Sequence, residues 1–175
     1  MKHIILFGFK SCGKTYLGKK LAQQLGHSFL DTDLILEELY AQKYGKLLKC
    51  PQIYRQEGSK VFRDLERLAL LSLQHYPMSI VAVGGGAVLE ADNLQVLQCV
   101  GRLVYLLISK EGLRQRLYLQ DQPAFFDASC FDEAFEKMYR LRLPLYEAIY
   151  AHKIDVEVGT EEQILNRLKE AVHGK

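Results

Sequence analysis

A chain of 175 residues with a net charge of +2, its acids and bases mixed throughout, carries no bulk charge for nucleic acid, so any basic site must be local. Its 49% apolar and 25% charged residues suit a globular protein able to bury a core without disulfides, and the length favours one domain, 1–175. No stretch reaches membrane-spanning length and the apolar run at Ile4–Phe7 is too short for a signal peptide, so a cytoplasmic protein acting as a monomer, with no membrane partner, is expected.

Residues 3–7 read as a buried strand, β-branched and aromatic. The loop that follows, Gly8 to Thr15 (GFKSCGKT), fits G-x-x-x-x-G-K-[ST]. Leu17, Leu21 and Leu25 then line one face of a helix that stops at Gly26. A strand, a loop of this spelling and a helix are the context in which successive backbone N–H groups cradle phosphate at a helix N-terminus. The loop predicts a nucleoside triphosphate site made of Ser11, Cys12, Gly13, Lys14, Thr15 and Tyr16. Lys14 reaches the β- and γ-phosphates, and the Thr15 hydroxyl is placed to ligate magnesium. The four cysteines, Cys12, Cys50, Cys99 and Cys130, form no CxxC or CxH pair, which argues against zinc and against a disulfide framework. Reduced and mostly buried thiols are expected, with Cys12 partly reachable in the opening loop.

Ser28–Leu30 reads as a second strand ending at Asp31-Thr32-Asp33. An extended backbone there sends both carboxylates to one side, one for a metal through water and one for a hydroxyl; equally, Asp33 suits the N-cap of the helix expected over 34–44. Residues 45–60, with Gly45, Pro51 and Gly58, read as irregular, and a helix carrying Phe62, Leu65 and Ala69 runs to about His75. Within it Arg63 and Glu66 are three apart, either an exposed ion pair or a carboxylate that steadies the arginine for an anionic ligand. Ile80–Val83 is a third strand, running into Gly84-Gly85-Gly86, where a ligand can lie against the main chain.

Leu94 and Leu97 mark a short helix, Leu103–Ile108 a fourth strand and 111–119 another helix. Residues 120–129 read as a loop, 131–150 as a long helix, 154–158 as a fifth strand and 161–172 as a closing helix. Phe131, Phe135, Met138 and Arg142 follow one helical stripe, so Arg142 faces inward and needs an anionic partner, whereas Arg140 faces solvent. Strands that are continuous apolar runs and alternate with helices predict an α/β fold, a three-layer α/β/α arrangement with a five-stranded parallel sheet of P-loop NTPase type.

Five motifs in order, the phosphate loop at 8–15, DTD at 31–33, FRDLE at 62–66, VAVGGGAV at 81–88 and RLPLYEAI at 142–149, resemble the shikimate kinase family over nearly the whole chain. The resemblance implies ATP-dependent, magnesium-assisted phosphorylation of the 3-hydroxyl of shikimate, on the route to chorismate and the aromatic amino acids. It makes Lys14 and Asp33 catalytic and gives magnesium to Thr15 and Asp31. Shikimate falls to Asp33, Arg63, Gly84, Gly85, Gly86 and Arg142, and ATP to the phosphate loop with Arg116 and Gln122. It also implies a substrate-binding segment at about 33–60 and a lid at about 112–126. Departures lie on the phosphate side. Ser11 stands where the family has a loop glycine, so a positive φ there would be strained, and Gln122 precedes Pro123 where the family has an arginine, leaving Arg116 or Arg114 to supply charge. Other small-metabolite or nucleotide kinases, and a catalytically weakened nucleotide-binding homologue, are the competing readings.

Overall fold

The structure, a computed structural model, describes residues 2–119, 131–149 and 151–173. Its strands are β1 (His3–Phe7), β2 (Ser28–Asp31), β3 (Ser79–Ala82), β4 (Gly101–Leu107) and β5 (His152–Asp155). They form a five-stranded sheet in the order β2-β3-β1-β4-β5, parallel at every pairing. The helices are α1 (Lys14–Leu25), α2 (Thr32–Tyr44), α3 (Cys50–Ser72), α4 (Ala91–Val100), α5 (Lys110–Leu119), α6 (Phe131–Ala148) and α7 (Glu161–His173). Every residue of β1 and β3 is buried, which requires helices over both faces and explains the unbroken apolar runs.

The core runs along these strands and is walled by aromatics. Phe7 stacks on Tyr105 with ring centroids 5.1 Å apart, and Tyr146 meets Phe9 edge-on at 4.8 Å. Each such buried ring or branched aliphatic side chain contributes about 1.5–3 kcal/mol over its exposed state. His3, buried at the start of β1, ties three segments together: its Nε2 lies 2.9 Å from the Leu73 carbonyl oxygen, and Ser79 N–H donates to its Nδ1 at 3.1 Å.

The topology fixes where a ligand can go. The connection leaving β1 crosses to one side of the sheet and the connection leaving β3 to the other, so the switch point lies between these two neighbours, outside their carboxyl ends. The phosphate loop follows β1 and the triple glycine follows β3. Register pairs Ile4 with Ile80 and Leu6 with Ala82, and Val83 N–H continues the ladder to the Leu6 carbonyl at 3.2 Å. The two loops therefore emerge side by side.

Two expectations about elements are corrected. The stretch 45–60 is mostly helical: α3 begins at Cys50 and continues past a break at Gly58 (φ 80°, ψ 173°). Pro51 lies in the first turn, where no N–H is needed, and the Gln52 side chain reaches back to accept the Lys49 N–H at 2.8 Å, so residues that read as breakers start a helix. The fifth strand is His152–Asp155 rather than 154–158. It pairs on one side only, and after Val156 N–H bonds the Leu107 carbonyl the chain turns away. The loop expected at 120–129 lies outside the described residues. Of the described cysteines only Cys12 is fully buried; Cys50 is half-buried and Cys99 exposed, against the expectation for these thiols.

Candidate active site

A cavity of about 700 Å³ opens at the switch point. The phosphate loop, with Lys10, Lys14, Thr15 and Tyr16, lines one end, and Asp33, Arg63, Glu66, Gly84–Gly86 and Arg142 line the other. Residues separated by more than a hundred positions in the chain are thus brought to one crevice.

The phosphate loop ends at Gly13 (φ 107°), which caps α1 without a side-chain bond, so the first N–H groups of that helix remain available to an anion. Lys14 Nζ folds back over its own loop and donates to the carbonyls of Gly8 (3.1 Å) and Phe9 (2.7 Å). Ser11 has φ 67°, the positive value that costs a residue with a Cβ about 1–2 kcal/mol. The Cys12 thiol, expected to be partly reachable, is fully buried, and Cys12 is absent from the cavity lining. Arg116 reaches across from α5, its Nη1 3.2 Å from the Cys12 carbonyl oxygen and 3.5 Å from that of Ser11. It stands on the phosphate loop, whereas Arg114 is engaged with Asp132 at 2.6 Å. Gln122 lies outside the described residues. Tyr16 borders the cavity, and its hydroxyl donates to Glu161 on α7.

Between the two ends stand the aspartates. Asp31, not Asp33, caps α2: it keeps extended geometry (φ −118°, ψ 116°) and accepts the Asp33 N–H at 3.1 Å. The helix starts two residues earlier than the pattern suggested because Thr32 turns into it. The other Asp31 oxygen accepts the Thr15 hydroxyl at 3.0 Å. These two hard oxygen donors beside the loop fit a divalent ion of the magnesium kind that takes its remaining ligands from phosphate and water. Asp33 is left with its carboxylate free to face the cavity. Burial, helped by the neighbouring Asp31 charge and opposed by Lys14, pushes its pKa up to about 6.

The far end is a set of interlocked charges. Arg63 Nη1 donates to Glu66 Oε2 at 2.6 Å, and that carboxylate also faces the Asn93 amide at 3.4 Å. Glu66 is 4% exposed; burial raises its pKa while Arg63 pulls it down. This is a buried carboxylate steadying an arginine, not a solvated surface pair. The charged groups lie close against the glycines, so a side chain there would displace them. A Cβ at Gly84 would lie 2.8 Å from Asp33 Oδ1, and one at Gly86 would lie 2.8 Å and 2.9 Å from the two Arg63 Nη atoms. Arg142 borders the cavity on the inward stripe of α6, above buried Phe135 and Met138, while Arg140 is solvent-facing, as expected.

The sequence reading missed three parts of this wall. Glu37 on α2, held by the Lys49 ammonium at 2.8 Å, lines the same end as Cys50 and Tyr54, and the last two lie on the segment misread as irregular. Burial pushes the Cys50 thiol far up, so it stays protonated and donates toward the Asp33 carbonyl at 3.5 Å. Asn93 carried no signal beyond its place in a short helix. Tyr146 did carry one: it continues the stripe of Arg142 by four positions, and its hydroxyl donates to the Gly85 carbonyl.

The fold and the phosphate loop define a nucleotide-binding protein of the P-loop class. A family model described as shikimate kinase matches residues 10–173. Shikimate kinase of Bacillus cereus (strain G9842) is 33% identical over 173 residues, covering 99% of both chains. Shikimate kinase 2 of Yersinia enterocolitica is 34% identical over 164 residues, covering 92% of this chain and 90% of the other. Among solved structures, the shikimate kinase of Acinetobacter baumannii in complex with shikimate superimposes with a TM-score of 0.85 at 28% identity, covering 99% of this chain and 94% of that one. The chain belongs to the shikimate kinase family.

Proposed function

We propose that the chain transfers the γ-phosphoryl group of ATP to the 3-hydroxyl of shikimate, in the cytoplasm and on the route to chorismate and the aromatic amino acids. The observation that carries this reading is the convergence of Arg63, Arg142 and Asp33 on the glycine loop, in the same cavity as the phosphate loop. A small carboxylic acid bearing several hydroxyls needs paired guanidinium groups for its carboxylate and an anionic acceptor for a hydroxyl proton.

In this mechanism the loop N–H groups and Lys14 hold the β- and γ-phosphates, and Arg116 adds charge beside the same loop. Magnesium bound through Thr15 and Asp31 would neutralise charge on the triphosphate. Arg63 and Arg142 fix the acceptor carboxylate, and the Gly84–Gly86 backbone lets the ring approach closely. Asp33 then orients the 3-hydroxyl in line with the γ-phosphorus and accepts its proton. With its pKa near 6, Asp33 is ionised at neutral pH and more basic than an ordinary carboxylate. There is little covalent chemistry to supply, so rate comes from positioning and charge neutralisation. The segment 33–60 forms the acceptor wall; of the lid segment at about 112–126, residues 120–126 lie outside the described residues.

The deciding experiment is coupled ADP release with ATP and magnesium, with and without shikimate, against a panel of hydroxy acids and nucleoside monophosphates. Shikimate-dependent release is expected. Shikimate binding by calorimetry without ADP release would instead identify a weakened nucleotide-binding homologue, and transfer to a nucleoside monophosphate alone would sink the assignment.

A further inference from the structure

Tyr146 takes no part in the chemistry above, yet it stands behind the two loops that line the cavity, against Phe9 of the phosphate loop and Gly85 of the glycine loop. Its side chain is fully buried. The ring is wedged among Phe7 (centroids 6.1 Å), Phe9 (4.8 Å) and Tyr105 (5.7 Å), and Phe9 belongs to the phosphate loop. A ring so enclosed cannot swing, so its hydroxyl oxygen is a fixed point. That hydroxyl donates its single proton to the Gly85 carbonyl, and the Arg142 guanidinium, one helical turn earlier with its Nη1 3.8 Å from where a Gly85 Cβ would stand, lies beside the same carbonyl and is placed to donate to the hydroxyl's lone pairs.

The Gly85 bond completes a pattern in the glycine loop. The Gly84 carbonyl accepts Ala87 N–H at 3.0 Å and the Gly86 carbonyl accepts Leu89 N–H at 3.1 Å. With Tyr146 on Gly85, all three carbonyls of the loop are engaged by protein donors. Carbonyl dipoles are thereby held away from the place where an acceptor carboxylate would sit, and N–H groups can face it instead. The same hydroxyl orients the arginine that would meet that carboxylate.

We propose that Tyr146 is a positioning residue for the acceptor: one hydroxyl fixes both the Arg142 fork and the Gly85 carbonyl, and its ring sets them at a constant distance from the phosphate loop. The proposal rests on the shikimate reading given above. It differs from a packing role because ring volume alone would leave acceptor binding unchanged.

The test is Tyr146→Phe, which keeps the ring and removes the oxygen. Loss of a hydrogen bond to a charged group is worth about tenfold or more in binding, so the shikimate Kd by calorimetry and the shikimate KM should rise about tenfold, with the ATP KM within about twofold of the wild type. In an Arg142→Ala background the same substitution should add less than about threefold, because its effect runs through that arginine. Wild-type binding with an unchanged Kd in Tyr146→Phe overturns this inference and leaves the shikimate reading standing, as does an effect that multiplies fully with Arg142→Ala. Absence of shikimate binding by the wild type overturns both.

Discussion

Replacing Gly84 by alanine should damage catalysis while leaving the fold intact. Gly84 has no positive φ, so the backbone accepts a side chain; the conflict is with what faces it. The new methyl would stand 2.8 Å from Asp33 Oδ1, against 3.4 Å at the near limit of ordinary contact. Neither main chain can retreat easily. Gly84 N–H is bonded to Thr32 Oγ1 at 3.3 Å and Asp33 N–H to Asp31 at 3.1 Å. The carboxylate must therefore rotate away by roughly half an ångström, and displacement of a reacting group on that scale costs about 10- to 100-fold in rate, or ~1.4–2.8 kcal/mol of barrier. The methyl also excludes water from a carboxyl whose pKa is already near 6 through burial, so the acid limb of the rate profile should move to higher pH. Coupled ADP release at saturating ATP and shikimate, from pH 5 to 9, measures both effects, with a thermal melt to confirm folding. Gly86→Ala is the internal contrast: its methyl meets the Arg63 guanidinium, so the shikimate KM should rise more than kcat falls. A folded Gly84→Ala enzyme with kcat within about threefold of the wild type across this range would refute the placement of Asp33 at the reacting hydroxyl.

Asp33→Asn should trade activity for stability. A carboxyl whose folded pKa, about 6, lies above its ordinary 3.8 favours the fold fully only below the lower value, and that advantage is lost as pH rises through the higher one, so ionised Asp33 costs on the order of 2–3 kcal/mol above pH 6. The asparagine variant should melt several degrees higher at pH 7.5, converge with the wild type near pH 4 and lose about 10²- to 10⁴-fold in kcat; equal melting temperatures at pH 7.5 would contradict the burial argument. At Ser11, φ 67°, glycine relieves about 1 kcal/mol of strain but adds a similar unfolded-state entropy, so Ser11→Gly should be stability-neutral within about 0.5 kcal/mol while Ser11→Val loses more than about 1 kcal/mol; denaturant titration separates them. His3→Phe leaves Ser79 N–H and the Leu73 carbonyl without their partner and should cost about 2–4 kcal/mol, read as a lower urea midpoint at unchanged slope.

Where local signals and tertiary context agreed, the sequence could be read directly. β1 and its loop form a contiguous stretch whose periodicity and turn chemistry point the same way, and Arg142 was placed by a stripe that α6 in fact buries. Misreadings occurred where one residue supports two structures. Pro51 breaks a helix from within but starts one at its first turn, and there the Gln52 side chain caps the Lys49 N–H. Asp31 and Asp33 are both good caps; Asp31 takes the role because the strand delivers it in extended geometry beside Thr15. Glu37, Cys50 and Tyr54 fall inside the segment 33–60 that the resemblance gave to the substrate, but they could not be singled out, because the wall is assembled by packing between α2 and α3 and no spacing along the chain encodes it.

The partners of the cations at the two ends of the cavity differ in a way that bears on what each end accepts. On the phosphate side, Lys14 rests on the carbonyls of Gly8 and Phe9, and Arg116 on those of Ser11 and Cys12. These are neutral acceptors, and a phosphate oxygen makes bonds about twice as strong. The cations are therefore held in place by groups that a triphosphate readily displaces. On the acceptor side Arg63 is bound to Glu66, and it cannot leave without stranding a buried carboxylate. It can only share: its remaining N–H donors meet a second anion while the first stays bound. The charges lining that end then nearly cancel, Arg63 and Arg142 against Glu66 and Asp33, with Lys49 and Glu37 already paired. Such a balance tolerates one carboxylate but opposes the dianionic phosphate of a nucleoside monophosphate, which would leave excess negative charge beside Asp33. On the proposed reaction, discrimination between a carboxylic acid and a nucleotide acceptor would follow from Glu66 as much as from the arginines.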